Sequence, residues 1–253
     1  MSGSFYPDDP EALRAELARD LESARSTSPA PKAIIAPHAG YLYSGQVAAS
    51  AYACLGAVRH TIRRVVLLGP AHRVYVEGLA VSSADAFVTP LGQVPLDATA
   101  RDAILALPQV QVGDEAHAHE HSLEVHLPFL QVCLDEFVLL PLVVGLCRAG
   151  DVADVLDLVW GGPETLIVVS TDLSHYHDYE TARAIDARTA AAIVAARAAD
   201  VGDRDACGAY PVRGLLEAAA RHRLAVRELD LRNSGDTAGP RDRVVGYGSF
   251  ALV

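Results

Sequence analysis

The chain has 253 residues, of which 51% are hydrophobic and 21% charged, and a formal net charge of −11. These values describe a globular chain with room for one large core. They argue against disorder, a fibrous repeat and a phosphate-neutralising nucleic-acid surface, which needs clustered positive charge. No run of 18 apolar residues predicts a membrane span, and the opening "MSGSFYPDDPEAL" lacks the basic and apolar regions of a secretory leader.

The first predicted element is a helix that Asp8 or Asp9 can cap, with Pro10 in its first turn and Leu13, Leu17 and Leu21 along one face. "SARSTSPAP", Ser23 to Pro31, reads as a short loop. "KAIIAP" then reads as a strand, and "SGQVAASAYACLG" as a helix whose small residues allow close packing on a sheet. "RRVVLLGP" is a second strand and "LDATARDAILALP" a helix, and "FVLLPLVVG" and "DVADVLDLVWG" repeat the alternation. "TLIVVSTD" is a fourth strand, followed by the long helix "TARAIDARTAAAIVAARAAD" and by "PVRGLLEAAARHR". "LAVRELDLRN" and "RVVGYGSFALV" close the chain as a hairpin joined by "SGDTAGP".

Continuous apolar strands suit a sheet covered by helices on both faces, and strand–helix alternation implies largely parallel pairing. The expected fold is therefore an α/β three-layer sandwich with a mostly parallel central sheet, formed as a single domain over residues 1–253. Cys54, Cys133, Cys147 and Cys207 have neither paired spacing nor a CxxC, so free thiols in a reducing, cytoplasmic setting are expected.

In open α/β sheets, ligands bind beyond the carboxyl ends of the strands. His38 follows the first strand, His72 the second, and Asp172, His175 and His177 follow "TLIVVS". Three strands thus bring histidine to one sheet edge. Thr171 or Asp172 could instead cap the next helix, which would account for Asp172 but not for His175. The tract "HAHEHSLEVHLPFL" fails the HExxH pattern. His121 and Glu124 are its candidates, while His117 and His119 read better as a solvated loop. Cys207 lies just ahead of a helix expected near Pro211, where a helix N-terminus favours thiolate. Arg73 and Arg213 are the only basic residues near these motifs.

The blocks "GSFYP", "PHAGYLYSG", "LGPAHR", "EHSLEVHLPFL", "STDLSHY" and "CGAYPV", in order over residues 3 to 212, resemble the Memo family, whose prokaryotic members are called AmmeMemoRadiSam system protein B. The resemblance implies a fold like that of class III extradiol ring-cleavage dioxygenases and one transition metal ion, iron or copper favoured and zinc possible. It carries the metal ligands over to His38, His72 and Cys207, and the catalytic polar residues to Asp172 and His175, with His175 at the acid–base position. It places His121, Glu124 and Tyr41 along the pocket. It implies a dioxygenase-like oxidoreductase of unknown small-molecule substrate, or else a non-catalytic accessory protein, with AMMECR-type and radical SAM proteins as candidate partners; the charge and hydropathy above predict no nucleic-acid or membrane partner. Two histidines and a thiolate suit Cu(I), Zn(II) and Fe(II) alike.

Overall fold

The computed structural model describes residues 1–24 and 28–253, so the loop expected over Ser23 to Pro31 lies partly outside the described residues. The first helix, α1 (Pro10–Ser23), is capped by Asp9, whose carboxylate accepts from the Ala12 amide at 2.8 Å. Its Leu13 and Leu17 are fully buried. β1 (Ala33–Ala36), α2 (Tyr41–Tyr52) and β2 (Arg64–Pro70) follow, with α2 starting three residues earlier than the small-residue run suggests. Then come β3 (Leu79–Val81), the hairpin β4 (Ala86–Thr89) and β5 (Gly92–Pro95), α3 (Ala98–Ile104) and β6 (Val110–Val112). Short helices α4 (Asp114–Ala118), α5 (His121–Glu124) and α6 (Leu127–Cys133) lead into β7 (Val138–Val144), α7 (Ala149–Val159) and β8 (Thr165–Ser170). The chain ends with β9 (His175–His177), α8 (Tyr179–Val194), α9 (Ala209–His222), β10 (Val226–Asn233) and β11 (Val244–Leu252).

The main sheet runs β10-β11-β1-β8-β2-β7-β3-β6, with β9 paired to β11. Its centre, β1-β8-β2-β7, is parallel, as the apolar runs imply. The terminal hairpin joins antiparallel through β11 to β1, and β3 pairs antiparallel to β7. This is the α/β sandwich expected. Side chains of the central strands alternate between two cores. Ala33, Ile35, Val66 and Leu68 pack against α7, α8 and α9, while Ile34, Ala36, Val65 and Leu67 pack against α1, α2 and α6. Each fully buried leucine or isoleucine contributes roughly 1.5–3 kcal/mol of transfer free energy.

β8 is threaded between β1 and β2, although it follows them by a hundred residues of chain. The carboxyl ends of β1, β8 and β2 therefore lie side by side. Strands in a sheet are about 4.8 Å apart, so residues just past these three ends are within contact reach of one another. That placement builds the site described below.

Lys32, the sole lysine, anchors the opposite end of β1. Its Nζ donates to the carbonyls of Trp160, Gly162 (2.9 Å) and Thr165 (2.8 Å), tying the end of α7 to the sheet. Three ammonium protons meet three acceptors. No described helix is long and apolar enough to cross a membrane.

Candidate functional site

His38, Asp172 and His72 sit just beyond β1, β8 and β2, and α5 brings His121 across from them. Ring centroids of His38 and His72 are 5.1 Å apart, those of His38 and His121 5.4 Å, and those of His72 and His121 4.6 Å. One nitrogen from each of these three histidines lies within 4.8 Å of the others. Cys207, two residues before α9, places its Sγ 3.3 Å from His38 Nε2. Together with Arg73, Asp172, His175 and Tyr176, these side chains line a cavity of about 460 Å³.

Hydrogen bonds fix which nitrogen each ring presents. The Ser170 hydroxyl donates to the Ser122 carbonyl at 2.6 Å, so its oxygen accepts from His38 Nδ1–H, also at 2.6 Å. The Nε2 lone pair of His38 is thereby left facing Cys207. Glu120, 4% exposed, accepts from His72 Nδ1 at 2.9 Å and from the His72 amide at 2.7 Å. His72 thus also keeps Nε2 as its free donor. Its orienting carboxylate is the kind of outer partner that metal-binding histidines use.

Electrostatics favour the neutral ring at His38 and at His121. Burial, reinforced by the neighbouring histidines, pushes the His38 pKa well below its usual value. Burial and then His72 do the same to His121. Glu120 is driven the other way: burial would raise it, yet three hydrogen bonds from His72 and Ser122 outweigh that and hold it at about 2. Burial, then Asp172, raise the Cys207 thiol. Asp172 itself is raised by burial, against the hydrogen bond its Oδ1 accepts from the His38 amide at 2.8 Å.

The donors fit a metal ion. Three imidazoles converge, two with their lone pairs locked inward. His121 Nδ1 is buried and makes no hydrogen bond, with Glu120 Oε1 3.4 Å away, and a thiol adjoins His38. Bound there, a transition metal would offer Lewis acidity or one-electron chemistry.

A family model for Memo-like proteins matches residues 1–251. The chain belongs to the Memo family. It is similar to a MEMO1 family protein of Aquifex aeolicus, 36% identical over 98% of this chain and 95% of that one. A MEMO1 family protein of Methanosarcina mazei is 34% identical over 100% and 97% respectively. In fold it is similar to uncharacterized protein JW3007 from Escherichia coli K12, with a TM-score of 0.56 and 14% identity over 87% of this chain and 99% of that one.

Against the resemblance-based assignments, this Memo protein gathers His38, His72, Cys207, Asp172, His175 and His121 around one cavity. Tyr41 and Glu124, expected along the pocket, lie elsewhere. Tyr41 points into the core from the first turn of α2, packs on Phe129 and donates to the Val125 carbonyl. Glu124, on α5, is not among the residues lining the histidine cavity and accepts from the Tyr6 hydroxyl at 2.7 Å. The capping alternative for Asp172 fails, because Asp178 caps α8.

Sequence reasoning did not find Glu120 or Ser170 as orienting residues. Glu120 sits 48 residues from the histidine it holds, and only its position beside His121 hinted at the site. Tyr176 was also not singled out. It adopts φ 63°, a left-handed conformation rarely taken by non-glycine residues, at the cavity mouth.

Proposed function

We propose that this Memo protein is a metal-dependent, dioxygenase-like oxidoreductase acting on a small molecule in the histidine cavity, with iron or copper as its metal. The observation that supports this reading most is the convergence of His38, His72 and His121 with both orienting hydrogen bonds in place. His38 and His72 hold the metal, with Cys207 or His121 as third donor. Held by three protein groups, an iron ion would have coordination positions left over for redox chemistry on a substrate. His175 accepts a proton from the substrate, and Asp172, whose carboxyl burial raises above its ordinary value, lines the same cavity and faces the bound molecule. Arg73, the cation lining the cavity, steadies negative charge on the bound substrate.

Anaerobic metal titration followed by calorimetry in buffers of different ionisation enthalpy tests the reading. Near-stoichiometric binding that is lost in His72→Ala is expected. Release of about one proton per ion would assign Cys207 as third ligand, because a buried thiol must deprotonate to bind. Retention of full metal affinity by a His38→Ala/His72→Ala double variant would sink the proposal.

Cys207 also supports a second reading, an accessory protein of a radical SAM-associated system. A thiol stands where ring-cleaving relatives in the resemblance carry a carboxylate. Metal-independent, saturable binding of an AMMECR-type partner would favour it.

A further inference from the structure

Behind the histidine cavity, between the sheet and α2 and α6, lies a buried polar pair that the proposed chemistry does not use. Tyr52 is 0% exposed and His126 1%, and the Tyr52 hydroxyl is 2.8 Å from His126 Nδ1. His126 Nε2 is buried with no hydrogen-bond partner.

Counting partners assigns the protons. If Nδ1–H donated to the phenol oxygen, both the phenol proton and the Nε2 lone pair would be orphaned. If the phenol donates to Nδ1, only one N–H is orphaned. An unpaired buried polar group costs about 1–3 kcal/mol, so the second arrangement is favoured. Tyr52 is therefore a phenol hydrogen-bonded to a neutral imidazole. As a core contact alone it is expensive, since a Phe and Leu pair would fill the space without the orphan.

The pair is linked by rings to the cavity. Tyr52 stacks on Phe129 at 4.8 Å and 7°, Phe129 meets Tyr41 at 5.0 Å, and Tyr41 meets Tyr6 at 5.5 Å. Phe5, next in the chain to Tyr6, packs on His121 at 4.8 Å. Three ring contacts thus run from Tyr52 to Tyr6 and a fourth joins Phe5 to His121, the two parts being connected through the Phe5–Tyr6 backbone.

We propose that Tyr52 and His126 form a proton-coupled electron donor, which passes one electron along these rings to a one-electron oxidant in the histidine cavity. The oxidant, a transition-metal ion in its higher oxidation state held by the cavity histidines, would gain one electron. Tyr52 loses that electron, its O–H bond breaks, and the proton moves to His126 Nδ1, leaving a neutral phenoxyl radical beside an imidazolium. Back-transfer of that electron from the reduced oxidant restores the phenol, the proton returning from His126 Nδ1 to the phenol oxygen. Burial pushes the His126 pKa down to about 3, yet an oxidised phenol is a far stronger acid and still protonates it. The redox reading of the cavity supplies the physiological oxidant, whereas the competence of the pair does not depend on that reading.

The test uses the full chain stripped of metal, oxidised by a photogenerated ruthenium(III) polypyridyl complex and followed by transient absorption and EPR. The expected result is a long-lived phenoxyl radical whose g-tensor reports a hydrogen bond, distinct from short-lived radicals at exposed Tyr43, Tyr75 and Tyr176. Tyr52→Phe, which loses a single hydroxyl, should abolish the long-lived species. His126→Leu should slow its formation about a hundredfold or more, the scale of a missing proton acceptor. Absence of the long-lived radical in wild type, or its persistence unchanged in Tyr52→Phe, would overturn the proposal. If His126→Leu does not fold, the Tyr52→Phe comparison and the g-tensor decide alone. Because the oxidant is external, failure here leaves the metal reading standing.

Discussion

Glu120→Gln is the substitution that most directly separates the two roles of the site, holding a ring and holding the fold. The carboxylate accepts three hydrogen bonds, from His72 Nδ1, the His72 amide and the Ser122 amide. They hold its pKa at about 2, against 4.5 for a glutamate in the unfolded chain. The folded pKa is depressed, so the stabilisation is present above the unfolded value and is lost as pH falls through 4.5 toward 2. At 1.36 kcal/mol per unit the difference amounts to about 3 kcal/mol at neutral pH. An amide has one acceptor oxygen, so its NH2 must face a donor or force His72 to flip its tautomer. The flip would put a proton on Nε2 and remove that nitrogen as a metal ligand. We expect Glu120→Gln to lose about 2–3 kcal/mol in urea unfolding near neutral pH, with the gap closing by about 2 kcal/mol near pH 3. Metal affinity, read by Co(II) absorption titration, should fall about 10–100-fold. Wild-type affinity in the variant would refute the tautomer argument, and a stability gap independent of pH would refute the electrostatic one.

Gly208→Ala would set a Cβ 2.5 Å from the Ser170 carbonyl oxygen and 2.7 Å from Thr171 Cβ. It should cost about 1–3 kcal/mol and weaken metal binding by displacing Cys207, read by melting and the same titration. Lys32→Met should cost about 1–3 kcal/mol in chemical denaturation, because the carbonyls of Trp160, Gly162 and Thr165 lose their donor. His126 has its folded pKa lowered from 6.5 to about 3, so the unfolded chain binds the extra proton and stability falls as pH drops below 6.5. On that basis wild type should lose about 2 kcal/mol from this group between pH 8 and pH 5, and His126→Leu should lack that slope. An unchanged pH profile in the variant would contradict it.

The four central strands were legible because each is a continuous apolar run of four to seven residues ended by Pro, Gly or a polar group. β3, β6 and β9 were not, since three residues each are too few to show a period. The hairpin β4–β5 escaped notice because its strands carry mixed burial and a turn without the usual Asn-Gly signal. The helix expected over Thr181 to Asp200 stops at Val194, and Ala196 turns left-handed, although alanine favours continuing. In the site, histidines after strand ends could be found by position. Tyr41 and Glu124 share motif blocks with pocket residues but are engaged elsewhere, Tyr41 by the Val125 carbonyl and Glu124 by the Tyr6 hydroxyl, partners 84 and 118 residues away that no local pattern announces. Glu120 required knowing that residues 48 apart meet.

The tie between Lys32 and three carbonyls has a consequence for any chemistry aimed at lysine. The chain offers such reagents and enzymes a single side-chain amine, and all of its protons are committed to backbone acceptors. Conjugation there must wait for the end of β1 to part from the Trp160–Thr165 segment. The rate of acylation at one residue therefore counts how often that edge of the sheet opens.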